Sequence, residues 1–135
     1  MPRLKDKVAI ITGGASGIGK SAGEIFAREG ATIVVADMNP DAIERAVQEF
    51  KAKNFNAIGQ LCDVTNREQT QVMAKEVVRL AGRIDILINN AGISRYRPFA
   101  ETTSEDWNAV LDVDLKGVFF CAQAVAPHMV VQGYG

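Results

Sequence analysis

The sequence predicts an α/β fold in which a doubly wound parallel sheet carries helices on both faces. Short apolar runs of about five residues alternate with amphipathic segments of about 12 to 18 residues, the pattern of repeated βα units. A glycine-rich stretch follows the first apolar run, and polar residues follow the later ones. We therefore expect the strand order 3-2-1-4 and a binding site at the carboxyl ends of the strands.

The composition is that of one globular domain covering residues 1–135. Of the 135 residues 47% are apolar and 23% charged, and 15 basic side chains nearly cancel 16 acidic ones. A disordered chain would have fewer apolar residues, and a membrane span needs a run of about 18 apolar residues that is absent here. A net charge of −1 gives no clustered cations for nucleic acid or a membrane surface.

The cysteines and the N-terminus indicate a reducing, cytoplasmic location. Cys62 and Cys121 are far apart and lack the spacing of a zinc site, so we interpret both as buried apolar residues and expect no metal. The first seven residues resemble neither a signal nor a transit peptide.

The first two strands enclose a glycine-rich turn and a helix. We predict strands at 8–11 and 32–36, the second of which ends at Asp37. The helix between them ends near Gly30, and its apolar residues recur at helical spacing on one stripe. That stripe consists of Ile18, Ala22, Ile25 and Phe26.

The second and third helices have recognisable starts. Asn39 followed by Pro40 is a capping residue before a first-turn proline, and Thr65 with Glu68 has the spacing of a capping box. A strand at 57–61 separates the two helices. The predicted buried stripes are Ile43, Ala46, Val47 and Phe50 in the second helix, and Met73, Val77, Leu80 and Ala81 in the third.

The last predicted strand, 84–88, leads through an Asn-Asn-Ala-Gly sequence into a polar loop. A helix then begins near Thr103, and Asp114 lies on its apolar stripe, where a polar side chain requires a partner. The apolar members of that stripe are Trp107, Leu111, Val118, Cys121 and Val125. We interpret Trp107 as a core residue.

The glycine-rich turn allows two interpretations as a phosphate site. Residues 14–21 match the P-loop pattern G-x-x-x-x-G-K-S, in which Lys20 and Ser21 would serve a nucleoside triphosphate and its magnesium. Alternatively, Gly13, Gly17 and Gly19 form a dinucleotide loop, and an acid about 20 residues later binds the adenosine ribose. Asp37 satisfies that second requirement, and only the dinucleotide interpretation also gives roles to the polar residues after the later strands.

Together the motifs resemble the short-chain dehydrogenase/reductase family, including its 3-oxoacyl-carrier-protein reductase branch. The resemblance rests on Thr12–Gly19, Asp37, Asp63-Val64, Asn89–Gly92 and Val113–Phe119. It implies the N-terminal half of a Rossmann-type fold that stops before the fifth strand. The residues it implies for cofactor binding are Gly13, Ser16, Gly17, Ile18, Gly19, Asp37, Met38, Asp63, Val64, Asn90, Ala91, Gly92 and Val113.

The Asp37 carboxylate favours NAD over NADP. It can accept hydrogen bonds from both ribose hydroxyls, whereas a 2′-phosphate would bring like charges together without a nearby arginine. The resemblance also implies hydride transfer between a nicotinamide and a secondary alcohol or ketone, with a 3-oxoacyl thioester as one candidate substrate.

The resemblance implies a tyrosine that transfers a proton, a lysine four residues later and a serine that polarises the substrate oxygen. No Tyr-x-x-x-Lys motif occurs in residues 1–135, and the serine is expected after the fifth strand. Tyr96 is followed four residues later by Ala100, and Tyr134 resembles the turn before the fifth strand. Asp114 occupies the family's fourth catalytic position, usually asparagine, and a carboxylate there lacks the amide's donor. Arg95 and Arg97 are candidates for an acidic substrate group or for a solvated loop.

These features predict cofactor binding with little turnover by this chain alone. The alternatives are an inactive nucleotide-binding or assembly module, an enzyme completed by another chain, and a triphosphatase using residues 14–21. We also expect a homodimer or swapped assembly, because the fourth strand is an open edge and the last helix has an uncovered apolar face.

Overall fold

A computed structural model describes all residues from 1 to 135. Its four strands are β1 (Val8–Thr12), β2 (Thr32–Asp37), β3 (Ala57–Leu61) and β4 (Ile86–Ile88). All three pairings are parallel and the order is β3-β2-β1-β4. The predicted Rossmann-type topology is confirmed, although β4 is two residues shorter at its start than expected.

Five α-helices connect and flank the strands: α1 (Gly17–Arg28), α2 (Pro40–Ala52), α3 (Arg67–Ala81), α4 (Ser104–Leu111) and α5 (Gly117–Gln132). One helical turn, Phe99–Glu101, precedes α4, and a wider π-type turn, Asp112–Lys116, joins α4 to α5. No helix combines the length and apolar character required to cross a membrane.

The sheet separates two apolar cores. Alternate residues of β1 and β2 point to opposite faces, so Ile10 and Val34 belong to the core beneath α3 and α5, while Ile11 and Val35 belong to the core beneath α1 and α2. Both faces of these strands are covered, which explains why they are apolar without alternation. The predicted stripe of α2 is buried throughout.

The prediction for α1 was wrong for two of its four stripe residues, although Phe26 packs against the core beneath α1 and α2. Ile18 is 83% exposed and Ile25 56% exposed, whereas the helix buries Gly19, Gly23 and Ala27 against the sheet. Added to Gly23, a Cβ atom would lie 3.0 Å from the ring of Phe50. The helix therefore packs closely through small residues, which a search for large apolar side chains cannot detect.

Three other local predictions were also wrong. Leu80 of the predicted α3 stripe is 48% exposed, although Met73 and Val77 of that stripe are buried. Helix α3 is capped by Asn66, whose side chain accepts from the Gln69 N–H, and not by Thr65. Trp107 is 63% exposed and does not belong to the core. The predicted stripe through Trp107 assumed a continuous α-helix, whereas the π-type turn shifts the register between α4 and α5.

The amino ends of β1 and β4 are joined by a buried carboxylate. The Asp85 side chain, which has no exposed surface, accepts from the Val8 N–H at 2.9 Å and pairs with Arg83 and Lys7. Burial alone would raise the pKa of Asp85, but the Arg83 guanidinium, the Val8 N–H and the Lys7 charge outweigh it and lower the pKa. The Lys7 ammonium also lies 3.8 Å from the centre of the Tyr134 ring.

Candidate functional site

Most of the residues predicted to bind a cofactor line one cavity at the carboxyl ends of the strands. Its volume is about 440 Å³. The lining comprises Gly13, Ser16, Gly17, Ile18, Asp37, Met38, Cys62, Val64, Asn90, Ala91, Gly92, Ile93 and Val113. The cavity lies at the point where β1 has β2 on one side and β4 on the other, which is the topological switch point where α/β folds bind ligands.

A hydrogen-bonded clamp fixes the floor of this cavity. The buried Thr12 hydroxyl accepts from the backbone N–H groups of Asn90 and Ala91, both at 3.0 Å, and donates to the Ile88 carbonyl. In return, the Asn90 side-chain amide donates to the Thr12 carbonyl at 3.0 Å. Asn90 therefore joins the ends of β1 and β4 as well as lining the cavity.

Gly19 does not line the cavity but allows this clamp to form. A Cβ atom on Gly19 would lie 2.5 Å from the Asn90 side-chain nitrogen and 2.6 Å from the Gly13 carbonyl oxygen. Neither distance is compatible with a normal contact, so only glycine allows α1 to approach Asn90 this closely.

The first turn of α1 is suited to an anion. Ser16 makes no side-chain capping bond, and the turn contains no acidic residue. The N–H groups of a first turn have no partners within the helix, and the helix dipole favours negative charge there. Gly17 has φ of 54° and no atom within 4 Å of a built Cβ, so its backbone is open to the cavity.

Asp37 connects the glycine loop to the end of β2. One carboxylate oxygen accepts from the Ala15 N–H at 3.3 Å, and the other accepts from the N–H groups of Met38 and Asn39. The side chain is only partly buried and belongs to the cavity lining. Its orientation is therefore set by backbone donors while its exposed surface faces the cavity.

Asp63 lies beside the cavity without lining it. Its carboxylate accepts from the Thr65 N–H and hydroxyl at 2.9 and 2.8 Å. The Asp63 N–H donates to the Gln69 side-chain oxygen at 2.8 Å, whereas the adjacent Val64 does line the cavity.

Asp114 also lies outside the cavity lining but contacts its rim. Its Oδ1 accepts from the Ile93 N–H at 2.9 Å, and the side chain is exposed. Asp114 is therefore not buried on an apolar stripe, as the sequence had suggested, and its partner is a backbone donor. This contact needs only an acceptor oxygen, which aspartate and asparagine both provide.

The other polar candidates have different positions. Arg97 pairs with Asp106 at 2.6 Å, next to the capping box of α4, while Arg95 is exposed in the loop. Lys20 of the P-loop pattern pairs with Glu49 on α2 and does not line the cavity. This position argues against the triphosphatase interpretation.

The sequence analysis missed two lining residues, Cys62 and Ile93. Burial raises the pKa of the Cys62 thiol to about 12 and that of Cys121 to about 11, so both are neutral apolar residues, as expected. Two positions in the sequence could have identified the missed lining residues: Cys62 comes directly after β3, and Ile93 comes directly after Gly92.

The fold and the cavity define a Rossmann-type α/β protein with a ligand site at the carboxyl ends of its strands. The family model for short chain dehydrogenase matches residues 7–135. The chain belongs to that family, whose members bind a nicotinamide dinucleotide.

Named relatives agree with this placement. The chain is 42% identical over 133 residues to the 3-oxoacyl-(acyl-carrier-protein) reductase FabG of Thermotoga maritima, covering 98% of this chain and 54% of that protein. It is 39% identical over 132 residues to the (2S)-((R)-hydroxy(phenyl)methyl)succinyl-CoA dehydrogenase subunit BbsD of Thauera aromatica, covering 98% of this chain and 53% of that protein.

Solved structures show the same fold. A crystal structure of NAD+-bound xylitol dehydrogenase superposes with a TM-score of 0.94 at 35% identity, over 98% of this chain and 52% of that one. The apo form of LigD from Sphingobium sp. strain SYK-6 gives a TM-score of 0.93 at 37% identity, over 96% of this chain and 56% of that one. The chain therefore spans about half the length of the proteins it matches.

Proposed function

We propose that residues 1–135 are the cofactor-binding part of an NAD(H)-dependent dehydrogenase or ketone reductase. The observation that carries the proposal is the convergence of three separate sequence segments on one cavity: the glycine loop, the end of β2 and the Asn-Ala-Gly segment after β4. When bound, the nicotinamide accepts a hydride from a secondary alcohol or donates one to a ketone.

The residues of the cavity fit a dinucleotide. Open N–H groups at the first turn of α1 suit its pyrophosphate, and the open space at Gly17 lets the backbone approach it. Ser16, Ile18 and Gly19 belong to the same turn. At the adenosine side we assign Asp37, Met38, Asp63 and Val64, and on the rest of the wall Asn90, Ala91, Gly92 and Val113.

The proposed preference for NAD depends on the charge of Asp37. The carboxylate already accepts three backbone N–H groups, so its orientation is fixed before a ligand arrives. Ribose hydroxyls can donate to it, whereas a 2′-phosphate would place a second negative charge at the same position.

Proton transfer requires groups that residues 1–135 do not contain. The sequence has no tyrosine followed four residues later by lysine. In our proposal Asp114 has a positioning role, because it holds the Ile93 N–H at the rim of the cavity. Residues 1–135 alone would then bind the cofactor with little turnover, and a chain that adds the serine, tyrosine and lysine would restore activity toward a ketone, with a 3-oxoacyl thioester as one candidate.

We further propose that these residues act in the cytoplasm, in line with their two unpaired cysteines.

We also propose that the chain forms a homodimer or swapped assembly. Strand β4 pairs only with β1, and α5 exposes Phe119, Val130 and Val131, so the chain has both an unpaired strand edge and exposed apolar side chains. Sedimentation as a monomer throughout the micromolar range would contradict this assembly.

Titration calorimetry with NADH, NADPH and ATP plus magnesium tests the cofactor assignment. We expect NADH to bind most tightly and Asp37→Ala to weaken NADH by about tenfold, since a lost hydrogen bond to a charged group costs about 1.5 kcal/mol. NADPH should lose much less. Asp41→Ala, an exposed acid on α2, is the matched control and should change neither affinity.

Two results would contradict the proposal. Equal losses for NADH and NADPH in Asp37→Ala would remove the NAD preference. Binding of ATP with magnesium in the absence of any dinucleotide binding would restore the triphosphatase alternative.

A further inference from the structure

The segment between β3 and α3, residues 62–66, forms one wall of the cavity but belongs to no strand or helix. Its Cys62 N–H donates to the Asp37 carbonyl at 2.9 Å, which is the last bond of the sheet on this side. After Cys62 the chain turns away from β2. The position of Asp63 and Val64 must therefore be set by contacts outside the sheet.

Gln69, in the first turn of α3, supplies such a contact. Its side-chain oxygen accepts from the Asp63 N–H at 2.8 Å, and its own N–H donates to the Asn66 side chain at 3.1 Å. The helix cap and the cavity wall are thus held by the same residue. Through Asp63 and Cys62 this connection reaches Asp37, whose carboxylate in turn accepts from Ala15 in the glycine loop.

The side chain of Gln69 is uncharged, which suits its position beside the Asp63 carboxylate. A glutamate could accept from the same N–H group, but it would add a negative charge close to the Asp63 carboxylate. The adjacent Glu68 makes no hydrogen bond to this wall. The amide therefore provides an acceptor without increasing the repulsion near a negatively charged cofactor.

We infer that Gln69 is a positioning residue for the adenosine half of the dinucleotide. It acts by holding the Asp63–Val64 backbone against the cavity, and it does not itself line the cavity. This inference rests on the proposed function, because it assumes that the cavity binds a dinucleotide. It adds a specific consequence: loss of the Gln69 acceptor should affect ligands that contain adenosine and spare ligands that do not.

The test compares three ligands in three variants. Gln69→Leu removes the acceptor at similar size, Gln69→Glu retains it, and Gln71→Leu is a matched control at an exposed position of the same helix. Titrations with NADH, AMP and reduced nicotinamide mononucleotide separate the two halves of the cofactor. A loss of one hydrogen bond predicts about three- to tenfold weaker binding of NADH and AMP to Gln69→Leu, with the mononucleotide unchanged.

Gln69→Glu should recover most of the affinity when salt is raised to screen the added charge, and Gln71→Leu should bind all three ligands like the parent chain. Amide hydrogen exchange provides a readout that needs no cofactor. The Asp63 N–H should exchange about tenfold faster in Gln69→Leu, while the β1 amides keep their protection.

Two outcomes would overturn the inference, and a third would overturn the proposed function as well. Unchanged NADH binding by Gln69→Leu overturns the inference alone. Equal weakening of all three ligands also overturns it, because that pattern indicates general loosening. If the parent chain binds no dinucleotide, the proposed function fails together with the inference.

Discussion

The two ends of the sheet bury polar groups in opposite ways. At the carboxyl end, the Thr12 hydroxyl and the Asn90 amide join β1 to β4 with uncharged groups only. At the amino end, the buried Asp85 carboxylate joins the same two strands and is neutralised by Arg83 and Lys7. Both arrangements satisfy backbone N–H groups, which are buried at Val8 and partly buried at Asn90 and Ala91.

The difference follows from what each end must leave available. At the amino end, the Asp85 carboxylate is paired with two cations, of which Arg83 is still partly exposed to solvent. The carboxyl end keeps its clamp neutral, and the first turn of α1 beside it retains open N–H groups. A carboxylate there would compete with an anionic ligand for these N–H groups and would repel it. One end of the sheet is therefore held by buried ion pairs, whereas the other keeps open N–H groups beside the cavity.

The largest effect is expected from Gly19→Ala, which disrupts the uncharged hydrogen bonds at the carboxyl ends of β1 and β4. The new methyl group would overlap the Asn90 amide and the Gly13 carbonyl. We expect a loss of about 3 kcal/mol in the free energy of unfolding, the cost of forced overpacking, and at least about a tenfold loss of NADH affinity. Urea denaturation and calorimetry measure the two effects.

Ser21→Ala, an exposed change on the same helix, should alter neither quantity. If Gly19→Ala binds NADH like the parent chain, the close approach of α1 to Asn90 does not shape the site.

A smaller effect, confined to stability, is expected from Asp85→Ala at the charged end. The buried Val8 N–H would lose its acceptor, at a cost of about 2 kcal/mol. Asp85 lies at the amino ends of the strands and the cavity lies at their carboxyl ends. The NADH affinity of the folded variant should therefore be retained. Urea denaturation and calorimetry again separate stability from binding.

Glu76→Ala is the control, because it breaks an exposed ion pair with Arg79. It should lower the free energy of unfolding by less than about 1 kcal/mol. A marked loss of NADH affinity in folded Asp85→Ala would show that the amino end of the sheet also affects the cavity, and would contradict an effect confined to stability.

The smallest expected effect is a pH dependence that sharpens the contrast. The pKa of Asp85 is lower in the folded protein than its ordinary value. Its stabilising contribution is thus complete above the unfolded pKa of about 3.9 and is lost as pH falls through the folded pKa. The stability difference between the parent chain and Asp85→Asn should therefore shrink on acidification below pH about 4. A difference that grows with acid would mean that burial dominates and the pKa is raised.

The success of the sequence predictions differed between elements for physical reasons. The strand order and the buried stripe of α2 were predicted correctly, because period and side-chain size both marked them. The buried face of α1 was missed, because close packing uses glycine and alanine and leaves Ile18 and Ile25 exposed. Trp107 was misplaced because a π-type turn changes the helical register.

In the candidate site, too, some residues were predicted from the sequence and others were missed. Motif spacing singled out most of the cavity lining, since glycines and polar residues after strands have recognisable local patterns. Cys62 and Ile93 were missed because apolar lining residues resemble core residues. The Gln69 contact could not be predicted, because it joins a side chain to a backbone N–H six residues earlier in a turn without a standard pattern.

The sequence by itself determined the fold class, the family and the chemical character of the site, because these depend on local periodicity and on motifs. The tertiary structure alone decided which partners those residues meet. The Asn90 amide bonds to the Thr12 carbonyl, Asp114 to the Ile93 N–H, and Lys20 pairs away from the cavity with Glu49. Such contacts join residues distant in sequence, and their geometry depends on how closely helices and strands pack.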